Sequence, residues 1–183
     1  MELLAKTGLR PSEALALQWQ HVDFGRRRVR VRRSYNAGRI GPPKTRFGSR
    51  DVPLAPGLAQ ALWRARKASG VDPADNALVF ADTEGGVVNR TAAYRAVRAA
   101  GSRSGVPWAG LRTLRHTCAS ILFRRSYNAK QVQVWLGHHS PAFTLATYVH
   151  LLPDDLPEPT FFDAIGASDE AGEGEAPGEA KRA

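Results

Sequence analysis

Arg28-Val29-Arg30-Val31-Arg32 alternates charged and apolar residues without a break. In a strand, successive side chains point to opposite faces, so Val29 and Val31 share one face and the arginines the other. One side of this strand belongs on a core and the other in water. Downstream, Tyr35-Asn36-Ala37-Gly38 reads as a turn and Arg39-Ile40 as the start of a second short strand. Arg50-Asp51-Val52-Pro53-Leu54 reads as a third, and Pro53, which has no amide hydrogen, places its end at a sheet edge. Both flanks are helical. Residues 2–7 read as the last turns of a helix stopped by Gly8, and Pro11 and Ser12 open a helix running to Trp19. Beyond the strands, helices are expected over Pro56–Ser69, from Thr91 as cap to about Ala100, over Thr113–Arg125, over Asn128–Leu136 ended by Gly137, and over Pro141–Tyr148. Leu78-Val79-Phe80 is a short apolar segment before a Glu84-Gly85-Gly86 turn. The expected fold is α+β and mostly α-helical, with a small three-stranded antiparallel sheet inserted among the helices.

The chain has 183 residues, 43% hydrophobic and 23% charged, the balance of a soluble globular protein. No run approaches the length of a membrane span, Met1 is not followed by a signal-peptide pattern, and the single cysteine, Cys118, excludes an internal disulfide framework. A cytoplasmic location is expected. The net charge is +9, unevenly spread. From Asp154 onward there are nine acids and two bases; residues 1–153 carry 24 bases and eight acids, a net of +16. Such a surplus points to a polyanionic partner, most simply nucleic acid. A compositional bias is the competing explanation, since arginines outnumber lysines 21 to 5. From Ala167 the chain has no apolar period and is expected to be a disordered acidic tail.

Five short segments occur in order: Thr7-Gly8-Leu9-Arg10-Pro11-Ser12-Glu13, Pro43-Lys44-Thr45, Leu114-Arg115-His116-Thr117, Leu136-Gly137-His138 and Thr147-Tyr148-Val149-His150. Together, over about residues 1–152, they resemble the catalytic domain of the tyrosine recombinases, the phage-integrase family. Metal-free cleavage of a phosphodiester needs a nucleophile that can hold the phosphate. It also needs fixed cationic donors for the charged oxygens and an acid for the leaving oxygen. Arginine suits the second task, because its planar fork makes paired hydrogen bonds and it stays charged when desolvated. Arg10 sits at a helix start, where backbone amides also favour phosphate. Arg115 lies among Leu111, Leu114, Ala119 and Leu122, which are expected to hold it rigidly.

The resemblance assigns Arg10 and Arg115 to the scissile phosphate, His138 to a phosphate oxygen, Tyr148 to nucleophilic attack and Lys44 to protonating the leaving 5′ oxygen. Among Tyr35, Tyr94, Tyr127 and Tyr148, only Tyr148 has Leu-Gly-His upstream and a histidine two residues on. A phenol, with pKa ~10, needs cations or a base nearby. Glu13 is read as orienting a positive group or capping its helix, and His116 and Cys118 as structural. His150 and Arg112 are possible further catalytic or phosphate-binding groups. Arg28, Arg30, Arg32, Arg46, Arg50, Arg124 and Arg125 are expected to contact DNA backbone phosphates, making binding salt-dependent. No metal-ligand spacing is present, and no cofactor is expected.

The chain departs from the family's pattern in two ways. Three residues before Arg115 the family carries histidine; here stands Arg112, which cannot accept the tyrosine's proton. The proton would then pass to Lys44, His138 or water. Arg10 also lies only nine residues from Met1, so an N-terminally truncated catalytic domain is expected. By the resemblance, the chain is a site-specific recombinase acting through a 3′-phosphotyrosine, as a homo-tetramer on two sites of double-stranded DNA, with no membrane or small-molecule partner. The alternatives are a catalytically inactive DNA-binding remnant and, more distantly, a nicking-closing relaxase. Residues 153–166, with Phe161, Phe162 and Ile165, read either as a segment docking on a neighbouring protomer or as packing on their own domain.

Overall fold

The computed structural model of the chain describes residues 1–70 and 76–148. It opens with helix α1 (Glu2–Thr7), ended by Gly8 in the left-handed conformation at φ 65°. A side chain there would also collide: an added Cβ would stand 2.5 Å from Leu136 Cδ2 and 3.2 Å from Cys118 Sγ. Gly8 therefore lets the chain turn while touching two other elements.

Helix α2 covers only Pro11–Leu15, short of the expected end at Trp19. The backbone leaves the helix to pair with an extended segment: Leu17 O accepts from Val79 N at 2.8 Å, and Trp19 N donates to Ala77 O at 3.0 Å. Trp19 starts a 3-10 turn and is buried.

The three-stranded antiparallel sheet is present, but one strand differs from expectation. β1 (Val22–Asp23), β2 (Arg28–Val31) and β5 (Arg50–Pro53) lie in the order β1-β2-β5. Arg39–Ile40 does not join it. It belongs to β4 (Arg39–Gly41), which pairs with β3 (Ser34–Asn36) as a separate two-stranded hairpin. β1, two residues long, is too short to show a period, and Tyr35-Asn36, expected in a turn, lies in β3. Asp23 fixes its exit by accepting from Arg26 N at 2.9 Å.

The alternation in β2 holds: Val29 and Val31 are buried while Arg28 and Arg30 are exposed. Register sets Val29 against Val52, Arg30 against Asp51, and Val31 against Arg50. Directly opposed residues share a face, so Arg50 points inward with Val31.

The helices that follow are α3 (Pro56–Ser69), α4 (Arg90–Arg103), α5 (Leu111–Arg124), α6 (Ala129–Leu136) and α7 (Pro141–Tyr148). Asn89, not Thr91, caps α4, its side chain accepting from Thr91 N at 2.8 Å. α5 starts slightly earlier than expected because Thr113 Oγ1 accepts from Gly110 N at 3.2 Å. Asn128 and Gln131 form a reciprocal capping pair at the start of α6, each bond 2.9 Å.

α1 packs on α5, α6 packs on α5 and α7, and β5 touches α6. Two apolar clusters result. One joins Leu3, Leu9, Trp19, the sheet valines, Leu58, Leu62 and Leu114; the other joins Cys118, Ala119, Leu122, Phe123, Val132, Leu136 and Tyr148. Trp135 packs against both, and burial of each large aliphatic side chain contributes about 1.5–3 kcal/mol. Arg115 sits on α5 between Leu114 of the first cluster and Cys118 of the second. His150, the segment 153–166 and the tail 167–183 lie outside the described residues. No helix among the described residues is long and apolar enough to cross a membrane.

Candidate active site

A cleft of about 920 Å³ opens where α2, β3, α4, α5 and α7 meet, and its walls include Arg10, Arg112, Arg115, His138 and Tyr148. Residues distant in the chain meet here because two helix ends converge on one guanidinium. Arg115 is only 8% exposed; its Nη1 donates to Gly8 O and its Nη2 to Leu136 O at 2.7 Å. Both acceptors are C-terminal helix carbonyls, where the helix dipole favours a cation. Burial, then repulsion from Arg10, lowers the Arg115 pKa to about 10, so it stays charged at neutral pH.

Arg10 takes the next carbonyl. Its Nη2 donates to Gly137 O at 2.7 Å and its Nη1 to Glu13 Oε1 at 2.8 Å. More than a third of its side chain stays accessible. The Arg10 amide donates to Glu13 Oε2 at 2.8 Å, so it is spent within the helix start and does not serve an anion. Burial pushes the Glu13 carboxyl up, but bonds and charge from Arg50 and Arg10 outweigh it and hold the pKa below its ordinary value.

His138 follows Gly137, the left-handed residue (φ 70°) that ends α6. Its Nδ1 lies 2.8 Å from Thr144 Oγ1, and its carbonyl accepts from Gln133 Nε2 at 2.9 Å. Burial, then the charges of Arg115, Arg10 and Arg50, lower its pKa to about 3, so the ring is neutral. That also makes it a poor base for the tyrosine's proton.

Tyr148 ends α7, with its ring stacked on His138 at 6.1 Å and packed beside Phe123 and His116. It forms cleft wall while being 2% exposed. Burial raises its pKa, and Arg115 and Arg10 only partly offset this, so it rests as the neutral phenol.

The other sequence candidates fall elsewhere. Arg112 is exposed on the cleft wall. Lys44 is exposed in the connection between β4 and β5 and does not line the cleft. Arg28, Arg124 and Arg125 are exposed, and exposed Arg46 lies over the Phe47 ring at 4.8 Å. Arg30 pairs with Asp23, and Arg32 with Asp51 at 2.6 Å.

Arg50 corrects the expectation of a phosphate contact. Its side chain is 5% exposed and donates to Glu13, Trp135 O and Gly48 O. The signal was available: Arg50, Val52 and Leu54 alternate on one strand face, and the two apolar members mark that face as inward. His116, read as structural, stands edge-on to Tyr148 with ring centroids 5.4 Å apart and lines the cleft. Its motif neighbour Arg115 was the only sequence sign of this. Cys118 is buried, and its thiol is pushed up to about 11 by that burial. Among the described residues, no group of three His, Cys, Asp or Glu side chains is placed to hold a metal ion.

Residues 1–154 match the phage integrase family, and the chain belongs to that family. A tyrosine recombinase XerC-like protein of Caldanaerobacter subterraneus subsp. tengcongensis is 29% identical over 80% of this chain and 44% of its own length. The type 1 fimbriae regulatory protein FimE of Escherichia coli is 31% identical over 78% of this chain and 69% of its own length. A Tn1549 transposon integrase, solved in complex with a circular intermediate DNA, superposes with TM-score 0.70 at 23% identity, over 92% of this chain and 56% of that one. The XerA recombinase superposes with TM-score 0.66 at 21% identity, over 91% and 56%. The chain thus spans less than half the length of its XerC-like relative.

Proposed function

We propose that this chain cleaves and rejoins DNA strands as a site-specific recombinase through a covalent 3′-phosphotyrosine. The supporting observation is that Arg10 and Arg115 grip the adjacent carbonyls of Gly137 and Leu136 while sharing one cleft with Tyr148. Two fixed guanidiniums in one partly desolvated cleft suit the oxygens of a phosphodiester. Tyr148 gives up its phenolic proton to water, its oxygen attacks phosphorus, the bond to the 5′ oxygen breaks, and that oxygen leaves as a hydroxyl with a proton from Lys44. The phosphate stays joined to the enzyme, and attack by a 5′ hydroxyl reverses the step.

His138 acts as a neutral donor. The Thr144 hydroxyl proton has two acceptors, His138 Nδ1 at 2.8 Å and Ser140 O at 3.3 Å. When the hydroxyl turns to Nδ1, the imidazole proton sits on Nε2, where it can reach a phosphate oxygen. Lys44 reaches the leaving oxygen from its exposed loop when DNA fills the cleft. The partner is double-stranded DNA, with four protomers on two sites in the cytoplasm, as the family resemblance implies.

Nicked suicide DNA tests the reading. The wild-type chain should leave a covalent protein–DNA adduct on a denaturing gel, and Tyr148→Phe should leave none. Wild-type binding without any adduct would favour a DNA-binding remnant, the reading supported by the exposed Arg112 at the family's histidine position. An unchanged adduct in Tyr148→Phe would remove Tyr148 as nucleophile.

A further inference from the structure

We propose that Arg50 is a positioning residue that holds the Arg10 guanidinium in place through Glu13 and the Gly137 turn. The inference rests on the recombinase reading above for its catalytic consequence. Arg50 does not line the cleft, so it acts through other groups. Its bonds are unusually complete for a side chain on a strand. Nη1 and Nη2 donate to Glu13 Oε1 and Oε2 at 3.0 and 2.9 Å. Nε donates to Trp135 O at 2.8 Å, and Nη1 also donates to Gly48 O at 3.1 Å.

Both acceptors of the Arg10 guanidinium rest on this hub. The first is Glu13 Oε1, which Arg10 Nη1 and Arg50 Nη1 share. A lone carboxylate can rotate about its last bond; the two-pronged fork of Arg50 fixes its plane. The second is Gly137 O. The Gly137 backbone lies directly against Arg50, since a Cβ there would stand 2.8 Å from Nη1 and 2.7 Å from Phe47 O. Arg50 also ties Trp135 O, one residue before the carbonyl that Arg115 holds. One buried guanidinium thus sets the plane of Glu13 and the path of the α6 end, and Arg10 reads both. Lysine at this place keeps the charge but has no planar fork. The buried Arg50–Glu13 pair adds little net stability, because desolvation offsets much of its attraction. Its effect is therefore on geometry.

The test compares wild type, Arg50→Lys, Arg10→Ala and the double variant. In single-turnover cleavage of nicked DNA at saturation, Arg50→Lys should lose about a hundredfold in rate, the scale of a 1 Å misplacement, with Kd for DNA unchanged. In the Arg10→Ala background, Arg50→Lys should cost nothing further, because the group it positions is gone. In the free protein, NMR relaxation of the Arg10 Nε–H should show a rigid group in wild type and a mobile one in Arg50→Lys. Rate losses that multiply, or an Arg10 signal equally rigid in both, would overturn the proposal. Should Arg50→Lys not fold, Glu13→Gln keeps the shape and removes the shared charge, and it should loosen Arg10 in the same way. A wild type that makes no adduct would sink the recombinase reading alone. The Arg10 relaxation data would still decide the positioning claim.

Discussion

His138 is neutral in the fold because burial and three neighbouring guanidiniums oppose its charge. In the unfolded chain its pKa returns to ~6.5. The folded value is near 3, so between these values the unfolded state binds a proton that the folded state refuses. Its contribution to stability is full above pH ~6.5 and is lost as pH falls toward 3. The melting temperature of wild type should therefore drop more steeply on acidification than that of His138→Gln, and parallel curves would refute the neutral ring. At this scale the sequence was most legible where residue types are rare and motifs ordered. Arg10, Arg115, His138 and Tyr148 were all named from their segments, and all four line one cleft. Arg50 was misread because a count of basic residues ignores which face of a strand each occupies.

Gly137 shows what a turn does at the scale of elements. It ends α6 at φ 70°, and its carbonyl receives Arg10. Gly137→Ala imposes left-handed strain and a contact of 2.7 Å with Phe47 O. Denaturant unfolding should show a loss of about 1–3 kcal/mol, and the adduct on nicked DNA should form more slowly. The Glu13 link between α2 and β5 makes a second prediction. Its folded pKa is depressed, so its stabilisation is present above its ordinary value and lost as pH falls through the lower folded one. Glu13→Gln should flatten this acid limb, and an unchanged limb would show that the ion pairs add nothing. Helix ends were readable from Gly8, Asn128 and Gly137, whose caps are local chemistry. The β1 strand was not, because two residues show no period, and the early end of α2 was not, because it depends on a partner distant in the sequence. Val22 pairs with Val29, and Leu17 with Val79.

Charge belongs to the whole molecule. Residues 1–153 carry a net of +16, but position decides which arginines can meet a duplex. Arg28, Arg46, Arg124 and Arg125 are exposed, Arg30 and Arg32 are paired with Asp23 and Asp51, and Arg50 is buried. Each phosphate neutralised by a side chain steepens the fall of log affinity with log salt by about 0.9. Arg124→Ala should flatten that slope by about this amount, equally on unrelated duplexes, since a backbone contact carries no sequence information. Asp51→Asn should steepen it by releasing Arg32. Arg50→Lys should leave it unchanged, because a guanidinium enclosed by Glu13, Trp135 and Gly48 displaces no counterion from DNA. Fluorescence anisotropy titrations over a range of salt read all three variants. If Arg50→Lys flattened the slope as Arg124→Ala does, Arg50 would reach the duplex, and the enclosed geometry would not describe the bound state.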